Sequence, residues 1–357
     1  MKKVTIKDIA LIAGVSRGTV DRVINGRGNV SEDVAKKILK IANELGFEKN
    51  LIASTLASNK TYKIAIVSPD PESDVFWSQP SEGILNALEL VKHYGIIAEY
   101  YNFDISRKDE FCMQLENAFA SRPDAILTAP TFTAESLEYL EQAVKLGIPF
   151  ITINTEIRHP GILCYVGQNS YNSGYLAGRL FHLRLHSGDE IIAVNLGHKL
   201  SNAQHYSDKV SGLKAYFNEH QMDNNPVFWY EFDQFSDTEK LTEFWMSIKS
   251  AHPRMKGVFF TNSRAYRIVN LFTEEDIKKF DIVGFDMIEP NIKLLKEDKI
   301  DFIINQNPIQ QGYLGIMNFV NHFILKKEIS KTQYLPLDIV LKENVDFYID
   351  YFNTIVR

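Results

Sequence analysis

Asp70, Asp74, Asn154, Asn262, Asp286 and Gln306 each stand at or just beyond the end of an apolar, β-rich run, and Phe76 and Trp77 follow the first of these runs. Carboxylates and amides so placed can form paired hydrogen bonds with vicinal hydroxyls, while an aromatic face covers the apolar side of a sugar ring. The chemistry this set could do is recognition of a small polyhydroxylated compound. Each residue alone has a second explanation, because Asp and Asn cap the next helix and Phe or Trp fills a core. Recurrence across successive strand ends favours binding. A second set lies in "TIKDIALIAGVSRGTVDRVINGRGNVS" (5–31), where a short helix turns Arg17, Gly18, Asp21 and Arg22 outward. An arginine there can bond bidentately to guanine in the major groove, and Gly18 lets the backbone approach closely. His182 and His186 stand four apart in "FHLRLH", but no glutamate or third ligand accompanies them. Surface histidines are the expectation, with no metal and no cofactor.

The elements that must position these residues differ between the two ends of the chain. Thr5 and Asp8 have capping-box spacing, Ile6, Ile9, Ala10 and Ala13 mark one face, and Gly14 can end that helix. Ser16 offers a cap for a second helix with Val20, Val23 and Ile24 inward; Ser31 starts a third, which Gly46 ends. Three helices with a tight turn between the first two make a helix-turn-helix unit. From residue 62 the pattern becomes alternating strands and helices: "KIAIVSP", "IIAEYY", "DAILTAP" and "IPFITIN", then "EIIAVNL", "VFWYEF", "GVFFT", "DIVGFD" and "DFIINQ". This rhythm implies two successive doubly wound, Rossmann-like α/β lobes whose facing strand ends form a cleft.

Bulk properties narrow the class. The 357 residues suit two or three domains, 45% are apolar and 24% charged, and no run is long enough to span a membrane. "MKKVTIKDIALIAGV" loosely imitates a signal peptide, but Lys7 and Asp8 interrupt its apolar stretch. Cys112 and Cys164 show no metal or redox spacing, and a reducing, cytoplasmic setting is expected. Residues 1–60 carry a net +5 and the remainder −11, so a basic head on an acidic body is set to meet a polyanion. There is no phosphate-binding glycine motif, nucleophile elbow or H-E-x-x-H.

"VTIKDIALIAGVSRGTVDRVING" followed by "VSEDVAKKILKIANELGF" resembles the head of the lactose-repressor/galactose-repressor (LacI/GalR) family, through about the first sixty residues without a gap. The resemblance implies base reading at Arg17, Gly18 and Arg22 and phosphate contacts at Thr5, Ser16, Thr19 and Asn25. Asp21 departs from the usual serine, and orienting Arg17 one turn away is the role expected of it. Within "NLIASTLASN" the family has a hinge helix that wedges into the minor groove, with Ala53 and Leu56 at the wedging positions; Lys49 replaces the usual preceding proline. The body, about 62–330, is similar to the periplasmic sugar-binding-protein fold (type I), matching at "FWSQPSEGI", "FTNS", "VGFD" and "INQNPIQQG". Lys209 stands where an arginine usually holds the sugar, Asn154 where aspartate is common, and Ser263 replaces a frequent aspartate. The expected organisation is a DNA-binding head at 1–49, a hinge at 50–61 and an effector and dimerisation domain at 62–357. Lobe 1 would take about 62–164 and 307–332, and lobe 2 about 165–306 and 333–357. The expected function is a homodimeric, non-enzymatic repressor of double-stranded operator DNA, controlled by a sugar-like effector. A sugar-cleft enzyme and a solute-binding protein are the alternatives.

Overall fold

The computed structural model describes residues 4–47, 60–197, 204–222 and 224–355. The chain divides into two compact units, a head up to residue 59 and a body from residue 60. In the head, α1 (Ile6–Ala13) starts at a reciprocal capping box: the Asp8 amide donates to the Thr5 hydroxyl, and Asp8 accepts from the Thr5 amide at 2.9 Å. Gly14 ends it at φ 69°, a left-handed conformation that costs glycine little. Ser16 caps α2 (Arg17–Ile24) by accepting from the Thr19 amide at 3.1 Å. Helix α3 (Glu32–Glu44) follows Ser31, whose side chain makes no cap bond; Glu32 and Asp33 place negative charge in its first turn instead. Ile9, Ala10, Ala13, Val20, Ile38 and Ala42 close a small apolar core.

The body's described residues form two six-stranded sheets. The first holds β1 (Tyr62–Pro69), β2 (Ile96–Phe103), β3 (Ala125–Thr128), β4 (Phe150–Ile153), β5 (Cys164–Gly167) and, from far along the chain, Thr332–Tyr334. The second holds β6 (Glu190–Leu196), β7 (Val227–Phe232), β8 (Met255–Phe260), β9 (Asp281–Phe285), β10 (Phe302–Asn305) and Asp338–Val340. We label the two late strands β11 and β12. Every pairing is parallel except β10 with β12. Helices cover both faces of each sheet, so the inner strands are apolar on both sides, and alternate residues of one strand feed different cores. Ile64 and Ile66 of β1 pack on one face while Ala65 and Val67 pack on the other. The chain passes between lobes after Gly167, after Asn305 and after Tyr334, two to three residues beyond 164 and 332 at the first and last passages.

Each lobe is locked by one glycine-on-glycine helix crossing. In lobe 1 a Cβ on Gly83 would lie 1.8 Å from the Ile309 carbonyl oxygen, and one on Gly312 would lie 2.0 Å from that of Pro80. In lobe 2 a Cβ on Gly174 would lie 1.7 Å from the Lys209 oxygen and one on Gly212 1.9 Å from that of Tyr171. Only a missing side chain permits such backbone contact. Among the described residues no helix is long and apolar enough to cross a membrane.

Candidate ligand-binding cleft and nucleic-acid interface

The residues on the head's α2 divide into those spent on folding and those turned outward. Arg17, Gly18 and Arg22 are exposed. Thr5 is engaged in the capping box, and the Ser16 hydroxyl lies 2.9 Å from that of Thr19. Asp21 does not pair with Arg17 as the sequence suggested. It accepts from the Asn25 amide at 2.7 Å and from Arg27 at 3.4 Å, because both follow it toward the end of the helix. Asn25 is therefore held at the C-terminus of α2 with its amide group fixed. Ala53 and Leu56 lie outside the described residues, as does the hinge segment up to residue 59.

In the body, Asp74, Phe76, Trp77, Asn154, Lys209, Asn262, Asp286 and Gln306 all line one cleft of ≈ 520 Å³, its mouth included. Asp70 does not join them: its carboxylate accepts from the Glu72 amide at 3.0 Å and caps the turn after β1. The lining comes from the carboxyl ends of both sheets, the position that parallel α/β topology reserves for ligands. Ile105, Thr131, His205, Tyr206, Thr261, Ser263 and Arg264 complete it. Of these, Arg264 had a sequence signal, a cation two residues beyond the strand-end Asn262; His205 and Tyr206 open a helix rather than end a strand.

The cleft's side chains are held by a connected set of bonds. Gln306 sits where the chain leaves β10 for lobe 1. Its Oε1 accepts from Gln168 at 2.8 Å and Asn154 at 3.4 Å, and its Nε2 donates to Asp286 Oδ2 at 3.0 Å. Arg264 donates to the Leu196 carbonyl at 2.8 Å, stacks 4.7 Å above the Phe235 ring and pairs with Asp74 from the other lobe. Asp74 also caps the turn that presents Phe76 and Trp77, accepting from the Phe76 amide at 3.0 Å. Asn262 spends its amide protons on Asn195 and the Leu196 carbonyl, so it shapes the wall. Asn154 and Asp286 adopt left-handed backbone, φ 66° and 65°, which short polar side chains tolerate better than others. Two of the lining residues carry a buried oxygen that has no partner among the described residues: Asp286 Oδ1 and Thr131 Oγ1. A buried acceptor without a donor costs free energy that a ligand hydroxyl would recover.

Lys209 is 1% exposed, donates to the Thr261 carbonyl at 2.7 Å and lies 3.6 Å from the Phe285 ring centre. Burial pulls its pKa down to about 7 against the pull of Asp286. Burial pushes the Asp286 carboxyl up to about 6, with Lys209 and Gln306 opposing. Burial and the Lys209 charge both hold His205 below the ordinary histidine range. The raised Asp286 contributes stability that is complete below the carboxyl's ordinary 3.8 and lost as pH rises through about 6. The lowered Lys209 contributes stability that is complete above 10.5 and lost as pH falls through about 7. The pair therefore supports the unliganded fold least near neutrality. Thermal melts across the pH range should show a Lys209→Met, Asp286→Asn double variant gaining most on the native protein at neutral pH and least at both extremes. A difference that does not vary with pH would contradict this.

The comparisons with known proteins agree with this architecture. Residues 64–327 match the periplasmic binding protein domain, and residues 5–50 match the bacterial regulatory proteins of the lacI family. The chain is 23% identical over 345 residues to the HTH-type transcriptional regulator MalR of Streptococcus pneumoniae serotype 4, covering 95% of this chain and 99% of that one. It is 34% identical over 148 residues to catabolite control protein A of Priestia megaterium, a match that takes in 42% of this chain and spans 42% of that relative's length. A Bacteroides fragilis protein assigned to the LacI transcriptional regulators has a similar structure, with TM-score 0.72 and 27% identity over 81% of this chain and 100% of that one. The fold alone is shared with an ABC transporter solute-binding protein of Burkholderia graminis in complex with D-arabinose, at TM-score 0.70 and 18% identity over 80% of this chain and 97% of that one. The chain thus joins a helix-turn-helix head of the lacI-family type, residues 5–50, to a body that belongs to the periplasmic binding protein domain family, residues 64–327.

Proposed function

We propose that this protein is a homodimeric repressor of double-stranded operator DNA whose effector is a small polyhydroxylated compound of the sugar class. The observation that carries the effector reading is the buried pair of unpartnered oxygens, Asp286 Oδ1 and Thr131 Oγ1, in a cleft walled by Phe76 and Trp77. Vicinal hydroxyls would satisfy such oxygens, and the rings would cover the apolar face of a pyranose or furanose. The D-arabinose held by the Burkholderia protein of the same fold supports that class. Asp74, Asn154, Lys209 and Gln306 complete the polar contacts in this reading, with Asn262 as a wall. On the DNA side, Arg17, Gly18 and Arg22 read bases in the major groove, while Thr5, Ser16, Thr19 and Asn25 meet phosphates. Ala53 and Leu56 enter the minor groove between the two heads of the dimer. Effector and operator are coupled reciprocally, each changing the other's affinity by the same factor.

Selection of genomic fragments by the purified full-length protein, followed by calorimetry with sugars used by neighbouring genes, tests the whole reading. No preference for the best fragment over scrambled duplex, with or without sugar, would defeat it. Arg22→Ala should weaken the selected site by about 1–3 kcal/mol while leaving scrambled duplex nearly unaffected. Equal losses on both, measured by fluorescence anisotropy at fixed salt, would assign Arg22 to the backbone instead.

A further inference from the structure

Asn305, Gln306 and Asn307 are consecutive where β10 leaves lobe 2, and their side chains alternate across the chain. Gln306 faces the cleft described above, whereas Asn305 and Asn307 line a second cavity of ≈ 610 Å³, mouth included. The two cavities stand back to back on other segments too: Asp286 lines the first and Met287 the second, Trp77 the first and Gln79 the second. The second cavity likewise draws on both lobes, and Gln79 of lobe 1 donates to the Met287 carbonyl of lobe 2 at 2.8 Å beside it.

Two residues on this lining carry an acceptor with no donor among the described residues. Asn305 is 1% exposed and its Oδ1 has no partner among the described residues. Its amide orientation is fixed by its neighbour: Asn307 Nδ2 donates to Asp338 Oδ2 at 2.9 Å and to the Pro336 carbonyl at 3.0 Å, so Asn307 presents Oδ1 to Asn305 Nδ2 at 3.3 Å. The unpartnered atom of Asn305 is thereby an oxygen. Glu82, half-buried on the same lining, forms no ion pair with any described residue. The remaining wall is aliphatic, from Ile292, Pro308, Ile309 and Ile349. A carboxylate and an amide oxygen call for a cationic donor with several protons, and the aliphatic wall calls for an alkyl group.

We infer that the protein has a second ligand site, formed by Glu82 and Asn305 between the lobes behind the effector cleft, for a small aliphatic ammonium compound. Its ammonium donates to the Glu82 carboxylate and to Asn305 Oδ1, and its alkyl part lies among Ile292, Ile309 and Ile349. An occupant touching both lobes favours one inter-lobe angle and so biases the effector cleft through the shared segments. Calorimetry on the full-length protein with isobutylammonium and its neutral counterpart isobutanol tests this. The ammonium should bind at least about tenfold more tightly than the alcohol. Glu82→Gln should erase that preference, and Ile309→Trp should exclude both probes. Absence of saturable ammonium binding, equal affinity for the two probes, or a preference that survives Glu82→Gln would each overturn the assignment.

Discussion

Asp286→Ala should weaken effector affinity by roughly a thousandfold while leaving operator affinity in the absence of effector unchanged. Asp286 Oδ1 is buried with no partner among the described residues, and a hydrogen bond to a charged group contributes about 1.5–3 kcal/mol. A carboxylate gripping two adjacent hydroxyls loses two such bonds together, which sets the expected size. Removal also leaves Lys209 buried without its opposing charge; its pKa then falls further and the neutral amine persists to lower pH. Calorimetry with the effector and anisotropy with operator DNA separate the two affinities. Retained effector affinity would move the sugar site away from this cleft; lost operator affinity would show that Asp286 holds up the fold instead.

Gly174→Ala should lower the body's melting temperature by roughly 6 °C, the equivalent of about 3 kcal/mol for an overpacked crossing. The added carbon would fall 1.7 Å from the Lys209 carbonyl oxygen, so helices Ser170–His182 and Gln204–Glu219 must move apart. The second helix carries His205, Tyr206 and Lys209 into the cleft, so the same substitution should weaken effector binding through displacement of Lys209. Gly83→Ala, the equivalent change in lobe 1, strikes the Ile309 carbonyl and should destabilise similarly. Calorimetric scanning of the two variants checks both. A native melting temperature in Gly174→Ala would mean that the crossing yields without cost.

What the sequence made readable follows from how each residue does its work. The long parallel strands are buried on both faces and therefore write themselves as continuous apolar runs, as in "EIIAVNL" for β6, where every residue is buried. β11 and β12 are three residues each, at sheet edges and mostly half-buried, and no such short run stands out. The head's first two helices were legible through local chemistry, since Thr5 with Asp8 and Ser16 with Thr19 act within one turn. Strand-end polar residues entered the cleft because the parallel strands of both lobes point their carboxyl ends toward it. Asp70 shows the limit of that reasoning: a carboxylate two residues before a free amide can satisfy it locally, and position alone does not say which use prevails. His205 and Tyr206 reach the cleft from the first turn of a helix, where a search of strand ends does not look.

Gln306 joins Gln168 and Asn154 on one side to Asp286 on the other through a single amide group. Hydrogen bonds weaken steeply over a few tenths of an ångström, so a small rotation of the lobes cannot stretch all of these contacts together. Either the set holds or it re-forms in another arrangement. In the role proposed above, graded effector levels would change the proportion of molecules in the two postures rather than bend each molecule continuously.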